Sequence, residues 1–482
     1  MKKIIGGTIS AGNRQTAQAA EQAFLEGGNA FDAAIAALLA ACVCEPSAVS
    51  LGGGVFMLGQ KKRIPFLIDG FCQSPLSKEA VKLERLDFNQ FPVDFGAAQE
   101  DFYIGKAAMA VPGVPAAIMK LWKTRASLPL EILAEPAIDL AKNGFELSGF
   151  GAMYMDFLSS VNEASEYGRL IYRKEGKGLQ EGDRIFNGHL ADTLEELCSN
   201  KMREFYEGEI AARVEEACAY GQGFLQRADF EKYASEELEP TTVPIGDKQL
   251  LLGNTIGSRM LEYGILKQNE DSRNDSDDLL KVFQAMMEER EKAMDKSSHG
   301  NWAGTTHFSV ADNEGNGMAV TGSNGEGSGF IIPGSGIMMN NVLGEPALVP
   351  NGPHSWDLNK RLSSMMTPAL LTNEEGELTC LLGSGGSSRI PFAVLQVLNS
   401  YLKGATLEQA MTESRVHWEN GTLYHEPDFR MPKNRFWEQE SAFDEQSFFF
   451  GGVHAVQRYK DSWLGVADHR REGSSITVSR RA

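Results

Sequence analysis

The chain has 482 residues, of which 42% are hydrophobic and 23% are charged, and its net charge is -19. A chain of this length buries a large core and predicts two or three domains or one large layered unit. Its acidity argues against nucleic acid as the main partner, because neutralising phosphates needs a basic surface. The same composition is typical of a protein that acts on small molecules.

No segment predicts a signal peptide or a membrane helix. Lys2 and Lys3 are not followed by an apolar segment of signal-peptide length, and no run approaches the ~18 apolar residues that span a bilayer. We therefore expect a cytoplasmic protein without a membrane partner, or a periplasmic one if the start is misassigned. The six cysteines lack metal-ligand spacing. They are expected to be reduced and mostly buried, and no metal or cofactor is predicted.

The first third of the chain predicts helices packed around buried strands. Its apolar periodicity indicates helices over 14–26, 31–43, 116–123 and 130–143, and strands over 51–58 and 65–69. The helix over 31–43 is apolar on nearly every side, which predicts a place inside a layered structure. The glycines at 52–54 indicate close backbone packing rather than phosphate binding, because no Lys-Ser/Thr follows them.

The middle of the chain carries less chemistry. Residues 150–240 predict acidic, mainly helical segments, and the polar stretch 267–277 predicts an exposed loop. A charged helix is predicted over 278–295, and residues 296–304 predict a flexible segment leading into a strand.

Residues 304–321 predict a β-hairpin whose ends carry hydroxyl groups. Strands over 304–312 and 318–321 flank turn residues 313–317. A hairpin folded about residues 314–315 brings Ser323 and Asn324 beside Thr305 and Thr306. This is either an ordinary hairpin with polar ends, or one in which Thr305 is a nucleophile that becomes a new chain terminus. The preceding Gly304 matters to the second interpretation, because it leaves its own carbonyl sterically open.

Residues 381–390 predict a buried strand that ends in a glycine- and serine-rich turn, and a helix follows over 390–402. A strand, a turn and a helix N-terminus together present several backbone N–H groups, which suits an anion or a developing oxyanion. A tight strand-to-helix connection without chemistry explains this pattern equally well when it is taken alone.

Taken together and in this order, these segments resemble the gamma-glutamyltranspeptidase family of N-terminal nucleophile hydrolases. The resemblance covers nearly the whole chain, and no single motif carries it. Its motifs stand at residues 27–34, 51–54, 110–113, 305–310, 363–365, 383–389 and 468–470.

The resemblance implies an α+β fold, a four-layer αββα sandwich, and a precursor that cuts itself between Gly304 and Thr305. The products 1–304 and 305–482 would form one intertwined domain, as a heterodimer, with pairing of two heterodimers left open. Thr305 would then carry a free α-amine, whose pKa near ~8 suits a general base for its own hydroxyl. No metal or histidine is required.

The resemblance also assigns the site residues. Ser323 would hydrogen-bond the nucleophile, and Gly386 and Ser387 would form the oxyanion hole, where the family usually has two glycines. The expected substrate-binding residues are Asn324, Glu345, Ser363 and Ser364.

Two departures from the family pattern concern the substrate. Phe71 stands where the family has an arginine that binds the α-carboxylate of a γ-glutamyl group. Losing such a guanidinium lowers the binding free energy of a carboxylate-binding site by roughly 1.5–3 kcal/mol. Glu345 stands where an aspartate usually meets the α-amine. The bond-breaking residues are therefore expected to be intact and the glutamyl pocket to be altered.

Three functions follow as alternatives. The first is a self-processing threonine amidohydrolase that cleaves γ-glutamyl amides such as glutathione. The second uses the same machinery on another acyl group, either a small dicarboxylic mono-amide such as oxamate or a side-chain amide of the acylase type. The third is an uncleaved, non-catalytic binding protein, which the presence of Thr305, Ser323 and the glycine turn disfavours.

Overall fold

Helices and strands alternate over most of the chain. The computed structural model describes residues 4–78, 83–94, 99–268, 275–294, 304–346, 348–349 and 351–481. The α-helices are α1 (Arg14–Leu25), α2 (Ala30–Cys44), α3 (Val114–Arg125), α4 (Leu130–Asn143), α5 (Gly149–Phe157), α6 (Ser159–Asn162), α7 (Glu166–Tyr172), α8 (Gly188–Ser199), α9 (Arg203–Glu207), α10 (Glu209–Cys218), α11 (Arg227–Lys232), α12 (Ile256–Lys267), α13 (Ser276–Met294), α14 (Ile390–Leu402) and α15 (Leu407–Thr412).

The strands group into two large sheets and several small ones. They are β1 (Gly7–Ala11), β2 (Gly54–Lys61), β3 (Ile64–Gly70), β4 (Asn89–Asp94), β5 (Gln99–Ile104), β6 (Phe145–Glu146), β7 (Arg173–Lys174), β8 (Lys177–Gly178), β9 (Arg184–Ile185), β10 (Glu236–Leu238), β11 (Thr241–Ile245), β12 (Lys248–Leu252), β13 (Gly304–Asp312), β14 (Gly317–Gly325), β15 (Ala369–Asn373), β16 (Leu378–Gly385), β17 (Val416–Glu419), β18 (Thr422–His425), β19 (Gln439–Ala442), β20 (Gly452–Tyr459), β21 (Ser462–Ala467) and β22 (Ser474–Val478).

The periodic helices were predicted within a few residues of their observed bounds. Every residue of α2 is buried. Its N-terminus has a capping box, in which the Asn29 side chain accepts from the Asp32 amide and the Asp32 side chain accepts from the Asn29 amide. The α14 bounds match the prediction, and Gly144 ends α4. Residues 296–303 of the segment predicted over 296–304, and residues 269–274 of the predicted polar loop, lie outside the described residues.

The seven-stranded sheet has the order β10-β3-β2-β14-β13-β1-β22, and the six-stranded sheet has the order β11-β12-β15-β16-β20-β21. All neighbours in both sheets are antiparallel. Each sheet takes strands from both sides of the Gly304–Thr305 bond. Cutting that bond would therefore leave the two products joined by the strand pairs β2–β14, β1–β13 and β1–β22 in one sheet and β12–β15 in the other.

The core follows from strand alternation. Phe308 and Val310 of β13 pack with α1 and α2, whereas Ala311 packs with the six-stranded sheet. α2 contacts β13 and β14, these strands contact β16, and α14 contacts β16 and β20. The contacts run in the order helix, sheet, sheet, helix. The chain is thus a mixed helix-and-sheet protein, as predicted.

Cysteines and metal-binding groups show no further chemistry. All six cysteines are buried and unpaired, as expected. Within the ranges given above, no three His, Cys, Asp or Glu side chains are placed to hold a metal ion. None of the described helices is both long and apolar enough to cross a membrane.

A buried ion cluster joins the turn after β21 to the strands around it. Arg415 Nη2 lies 2.6 Å from Asp468 Oδ2, and Arg470 Nη1 lies 3.3 Å from Asp468 Oδ1. Burial by itself raises the pKa of Asp468, but the two guanidinium groups and the Val453 amide lower that pKa to about 2. Asp468 also caps the short 3₁₀ turn His469–Arg471. The cluster therefore fixes where Arg471 lies.

We expect Asp468 to contribute to stability in a pH-dependent way. Its folded pKa of about 2 lies below the ordinary unfolded value, so its contribution of roughly 2 kcal/mol is present above pH ~4 and is lost as pH falls towards 2. Asp468→Asn should destabilise the protein by roughly 3–5 kcal/mol at neutral pH, because it leaves buried arginines uncompensated. In thermal unfolding, the difference in midpoint temperature between wild type and Asp468→Asn should narrow from pH 5 to pH 2. A difference that stays constant over this range would contradict the low pKa of Asp468. Asp461→Asn, at an exposed position, is the control.

Candidate active site

The hairpin of β13 and β14 places a threonine and a serine opposite each other. Thr305 pairs with Ser323 and Thr306 pairs with Gly322, while Gly304 pairs with Gly325. The register shift between Gly304 and Thr305 makes Asn324 an extra, unpaired residue, which is a β-bulge opposite the Gly304–Thr305 bond. The predicted hairpin is present, but Asn324 does not lie beside a threonine, because the bulge takes it out of register.

Three groups at this bulge form a chain of hydrogen bonds. The Thr305 hydroxyl donates to Ser323 Oγ across 3.4 Å, and Ser323 Oγ donates to the Gly304 carbonyl oxygen across 2.6 Å. Ser323 Oγ also accepts from the Gly325 amide at 3.1 Å, which holds its orientation. Thr305 and Ser323 are 2% and 5% exposed. The arrangement joins the Thr305 hydroxyl and the Gly304 carbonyl oxygen through one buried serine hydroxyl.

Gly304 is required by close approach of the backbone. A Cβ added there would lie 2.2 Å from the Ser47 carbonyl oxygen and 2.4 Å from that of Gly325. Because both neighbours are backbone atoms, no side chain fits at this position without moving the strand. Glycine is thus required here by the packing of the backbone around it.

The glycine-serine turn after β16 lies against the backbone of Thr305. A Cβ on Gly385 would lie 2.2 Å from the Thr305 carbonyl oxygen, so the two strands touch at this point. Among the described residues, no hydrogen-bond acceptor is found for the N–H groups of Gly386 and Ser387. The turn can therefore offer both amides to a developing oxyanion.

Ser387 occupies the left-handed backbone region, with φ of 53°. A non-glycine residue there costs about 1 kcal/mol, because its Cβ approaches the following carbonyl. Ser387→Gly is expected to raise the free energy of unfolding by about that amount in chemical denaturation. Ser387→Ala keeps the Cβ and should give no gain. Equal stabilisation by both variants would show that the hydroxyl, not the backbone, is responsible.

Thr305 lines a cavity of about 380 Å³ at the end of the two sheets. Its walls come from the start of α1, the loop after α2, the segment 146–155 and the 3₁₀ turn that ends at Arg471. Polar side chains in these walls include those of Glu45, Tyr154, His454 and Arg471, and the exposed Arg14 lies at the start of α1. The volume lies within the usual range for small-molecule sites.

Glu45 is the buried carboxyl of this cavity. It accepts from the hydroxyls of Thr306 and Thr16, each at 2.6 Å. Burial raises the pKa of Glu45, although these two hydroxyls and nearby Arg471 oppose the effect. The adjacent His307 is neutral, since burial and His454 lower its pKa well below the ordinary value. These groups brace the strand that carries Thr305.

The sequence prediction missed Arg471 and Glu45. Arg471 follows the recognised residues 468–470 by one position, and Glu45 follows an apolar helix. Neither position shows a pattern that distinguishes a site residue from an ordinary surface charge. Only their contacts identify them, because Arg471 donates to the Thr305 carbonyl at 3.1 Å and Glu45 binds Thr306.

Two of the predicted substrate residues lie near the bulge but outside the cavity lining. Asn324 is fully buried, where its amide group contacts Ser50 and the Met339 carbonyl. Glu345 Oε1 lies 2.6 Å from the position of a Cβ on Gly325, opposite Gly304. Burial raises the pKa of Glu345.

The other two hold local structure. Ser363 Oγ accepts from the Ile256 amide at the start of α12, and Ser364 Oγ accepts from the Met366 amide. Phe71 is 1% exposed and stacks on Phe56, with ring centroids 5.3 Å apart. The structure thus brings Thr305, Ser323 and Gly304 together by hydrogen bonds and sets the glycine turn against them, whereas it shows no contact of Ser363 or Ser364 with Thr305.

Comparison with known proteins finds relatives that cover most of this chain. A model of the gamma-glutamyltranspeptidase family matches residues 16–282 and 255–478. The chain is 26% identical to "Glutathione hydrolase proenzyme" of Pseudomonas aeruginosa, over 98% of this chain and 95% of the relative. It is also 26% identical to "Acylase ACY 1 proenzyme" of a Pseudomonas species, over 96% and 91% respectively. The crystal structure of cephalosporin acylase from Bacillus halodurans has the same fold, with a TM-score of 0.80, 22% identity and coverage of 98% and 96%.

Proposed function

This chain belongs to the gamma-glutamyltranspeptidase family of hydrolases and transferases, and on that premise we propose that it is a self-processing amidohydrolase. It would cut itself between Gly304 and Thr305 and then use Thr305 to cleave small amides through an acyl-enzyme. The observation that carries this proposal is the hydrogen-bond chain from Thr305 through Ser323 to the Gly304 carbonyl oxygen.

The self-cleavage step follows from that chain. Thr305 Oγ attacks the Gly304 carbonyl carbon, and the negative charge that develops on the carbonyl oxygen meets the Ser323 hydroxyl at 2.6 Å. The bond from that carbon to the Thr305 nitrogen breaks, the nitrogen gains the proton that the Thr305 hydroxyl loses, and an ester to Oγ remains. Water then hydrolyses the ester, which leaves a Gly304 carboxylate and a free Thr305 hydroxyl and α-amine.

Turnover uses the same atoms in the processed enzyme. The neutral α-amine of Thr305 takes the proton of its own hydroxyl, and Oγ attacks the carbonyl carbon of the substrate amide. The amides of Gly386 and Ser387 stabilise the oxyanion, the α-amine protonates the departing amine, and water or a second amine releases the acyl group. The fragments 1–304 and 305–482 would stay assembled as one four-layer αββα unit, which the shared sheets support.

A denaturing gel and mass spectrometry test the proposal on freshly purified protein. We expect two fragments, 1–304 and 305–482, that co-purify under native conditions, because each sheet needs strands from both. N-terminal sequencing of the smaller fragment should begin at Thr305. A single full-length band without amidase activity would favour the non-catalytic alternative.

The substrate class is the finer part of the proposal. γ-Glutamyl amides such as glutathione come first, because the relative over nearly the full chain is named a glutathione hydrolase. A small dicarboxylic mono-amide such as oxamate, or an acylase-type amide, is the second class. Phe71 favours the second class, since it offers no positive charge to the α-carboxylate of a γ-glutamyl group. Turnover of γ-glutamyl-p-nitroanilide against small mono-amides separates the two.

A further inference from the structure

Arg471 is a buried cation at the inner end of the cavity that Thr305 lines. It is 8% exposed, and its Nη1 donates to the Thr305 carbonyl oxygen at 3.1 Å. Its Nε has no hydrogen-bond partner among the described residues. A buried donor without a partner costs free energy.

No described carboxylate lies within 4.0 Å of the Arg471 guanidinium. The two that attract it from farther away, Asp468 and Glu45, already have other partners. Asp468 pairs with Arg415 and Arg470, and Glu45 accepts from two threonine hydroxyls. The positive charge of Arg471 is therefore not neutralised by a direct partner, and it faces a space that a ligand can enter.

The glycine turn makes room for this guanidinium. A Cβ on Gly385 would lie 2.7 Å from Arg471 Nη1, and one on Gly386 would lie 3.7 Å from Nη2. The guanidinium consequently lies against the same turn whose amides would hold the oxygen of the substrate carbonyl. A substrate whose reacting carbonyl lies at that turn can therefore place another of its groups at Arg471.

The direction along the substrate follows from the position of the α-amine. In the processed enzyme that amine protonates the leaving amine, so the leaving group lies on the nitrogen side of Thr305. Arg471 contacts the carbonyl of Thr305, on the other side of the residue. The group that meets Arg471 is thus part of the acyl portion of the substrate, not of the leaving amine.

We propose that Arg471 binds a terminal carboxylate on the acyl group of the substrate, in the place of the arginine that Phe71 has replaced. The inference rests on the proposed function and adds the identity of the residue that selects the acyl group. A bidentate guanidinium–carboxylate contact is the geometry that arginine favours. γ-Glutamyl and glutaryl groups share the same carbon chain and terminal carboxylate and differ only by the α-amine.

Three p-nitroanilides test the proposal on the processed enzyme: glutaryl, γ-glutamyl and the uncharged butyryl. Wild type should turn over at least one of the two carboxylate substrates with kcat/KM at least tenfold above butyryl. Arg471→Met should lower that kcat/KM by roughly 10- to 100-fold, mainly through KM. The fold loss in kcat/KM for the butyryl substrate should be at least ten times smaller. Arg471→Lys should recover part of the difference. The glutaryl-to-γ-glutamyl ratio shows which acyl source is used.

Equal losses on charged and uncharged substrates would overturn the carboxylate assignment and leave Arg471 a positioning residue for Thr305. Exposed Arg203, which pairs with Glu207 on α9, is the matched charge control as Arg203→Met. Should a variant at Arg471 not self-cleave, inhibition of wild type decides: glutarate must inhibit at least tenfold more tightly than its neutral diamide, and equal inhibition overturns the proposal. A wild type that neither self-cleaves nor hydrolyses any amide would instead refute the proposed function.

Discussion

Replacing Thr305 by alanine is expected to leave the chain uncut and to abolish amide hydrolysis. Both reactions need the same oxygen, which lies beside Ser323 and the Gly304 carbonyl. Without it there is no ester to hydrolyse and no acyl-enzyme to form, so the loss should reach the detection limit of both assays. The measurements are band pattern on a denaturing gel after prolonged incubation and release of p-nitroaniline.

Thr305→Ser is the matched control, because it keeps the hydroxyl and removes only a methyl group. It should still self-cleave, at a reduced rate. Amide turnover by a properly folded Thr305→Ala variant would contradict the assignment of Thr305 as the nucleophile. Cleavage of that variant at the same bond would show that an external protease makes the cut.

Replacing Ser323 by alanine is expected to slow self-cleavage by about 10²–10³-fold. Its hydroxyl is the group that donates to the Gly304 carbonyl oxygen at 2.6 Å, and removing one oxyanion donor typically has an effect of this size. The uncut chain should therefore accumulate and convert slowly to the two fragments. A time course of fragment formation by mass spectrometry gives the rate directly.

Ser323→Thr retains the hydroxyl and should self-cleave much faster than Ser323→Ala. The comparison matters because Ser323 also accepts from the Thr305 hydroxyl and the Gly325 amide. A purely structural role would appear as a lower thermal midpoint for Ser323→Ala with an unchanged cleavage rate. That result would remove Ser323 from the proposed chemistry.

Much of the fold follows from local pattern. The bounds of α14 match the prediction because an apolar helix after a glycine-rich turn has local start signals. The hairpin was recognised by its turn residues, and Ser323 was expected near Thr305 because antiparallel pairing follows from the position of the turn. The bulge was missed, since an extra residue in one strand depends on what packs against it. It is the bulge that moves Asn324 away from the threonines.

The substrate side of the site was less predictable. Ser363 and Ser364 carry a recognisable motif, yet their hydroxyls accept from the amides of Ile256 and Met366. The resemblance shows that Phe71 stands where the family has an arginine. The stacking of Phe71 on Phe56 in the core depends on the arrangement of the sheet. A residue type at one position indicates which chemistry is missing there, and it does not indicate which distant residue supplies that chemistry instead.

Residue patterns alone predict the family, the mixed helix-and-sheet class and the pairing of the Thr305 strand with the Ser323 strand. These depend on periodicity, turns and motifs that act over short distances along the chain. Glu45 and Arg471 lie 261 and 166 positions from their partners Thr306 and Thr305, and their meeting at one cavity is visible only in the folded chain. A buried charge is placed by layer packing and by a strand order that brings distant segments together, and neither leaves a local pattern in the sequence.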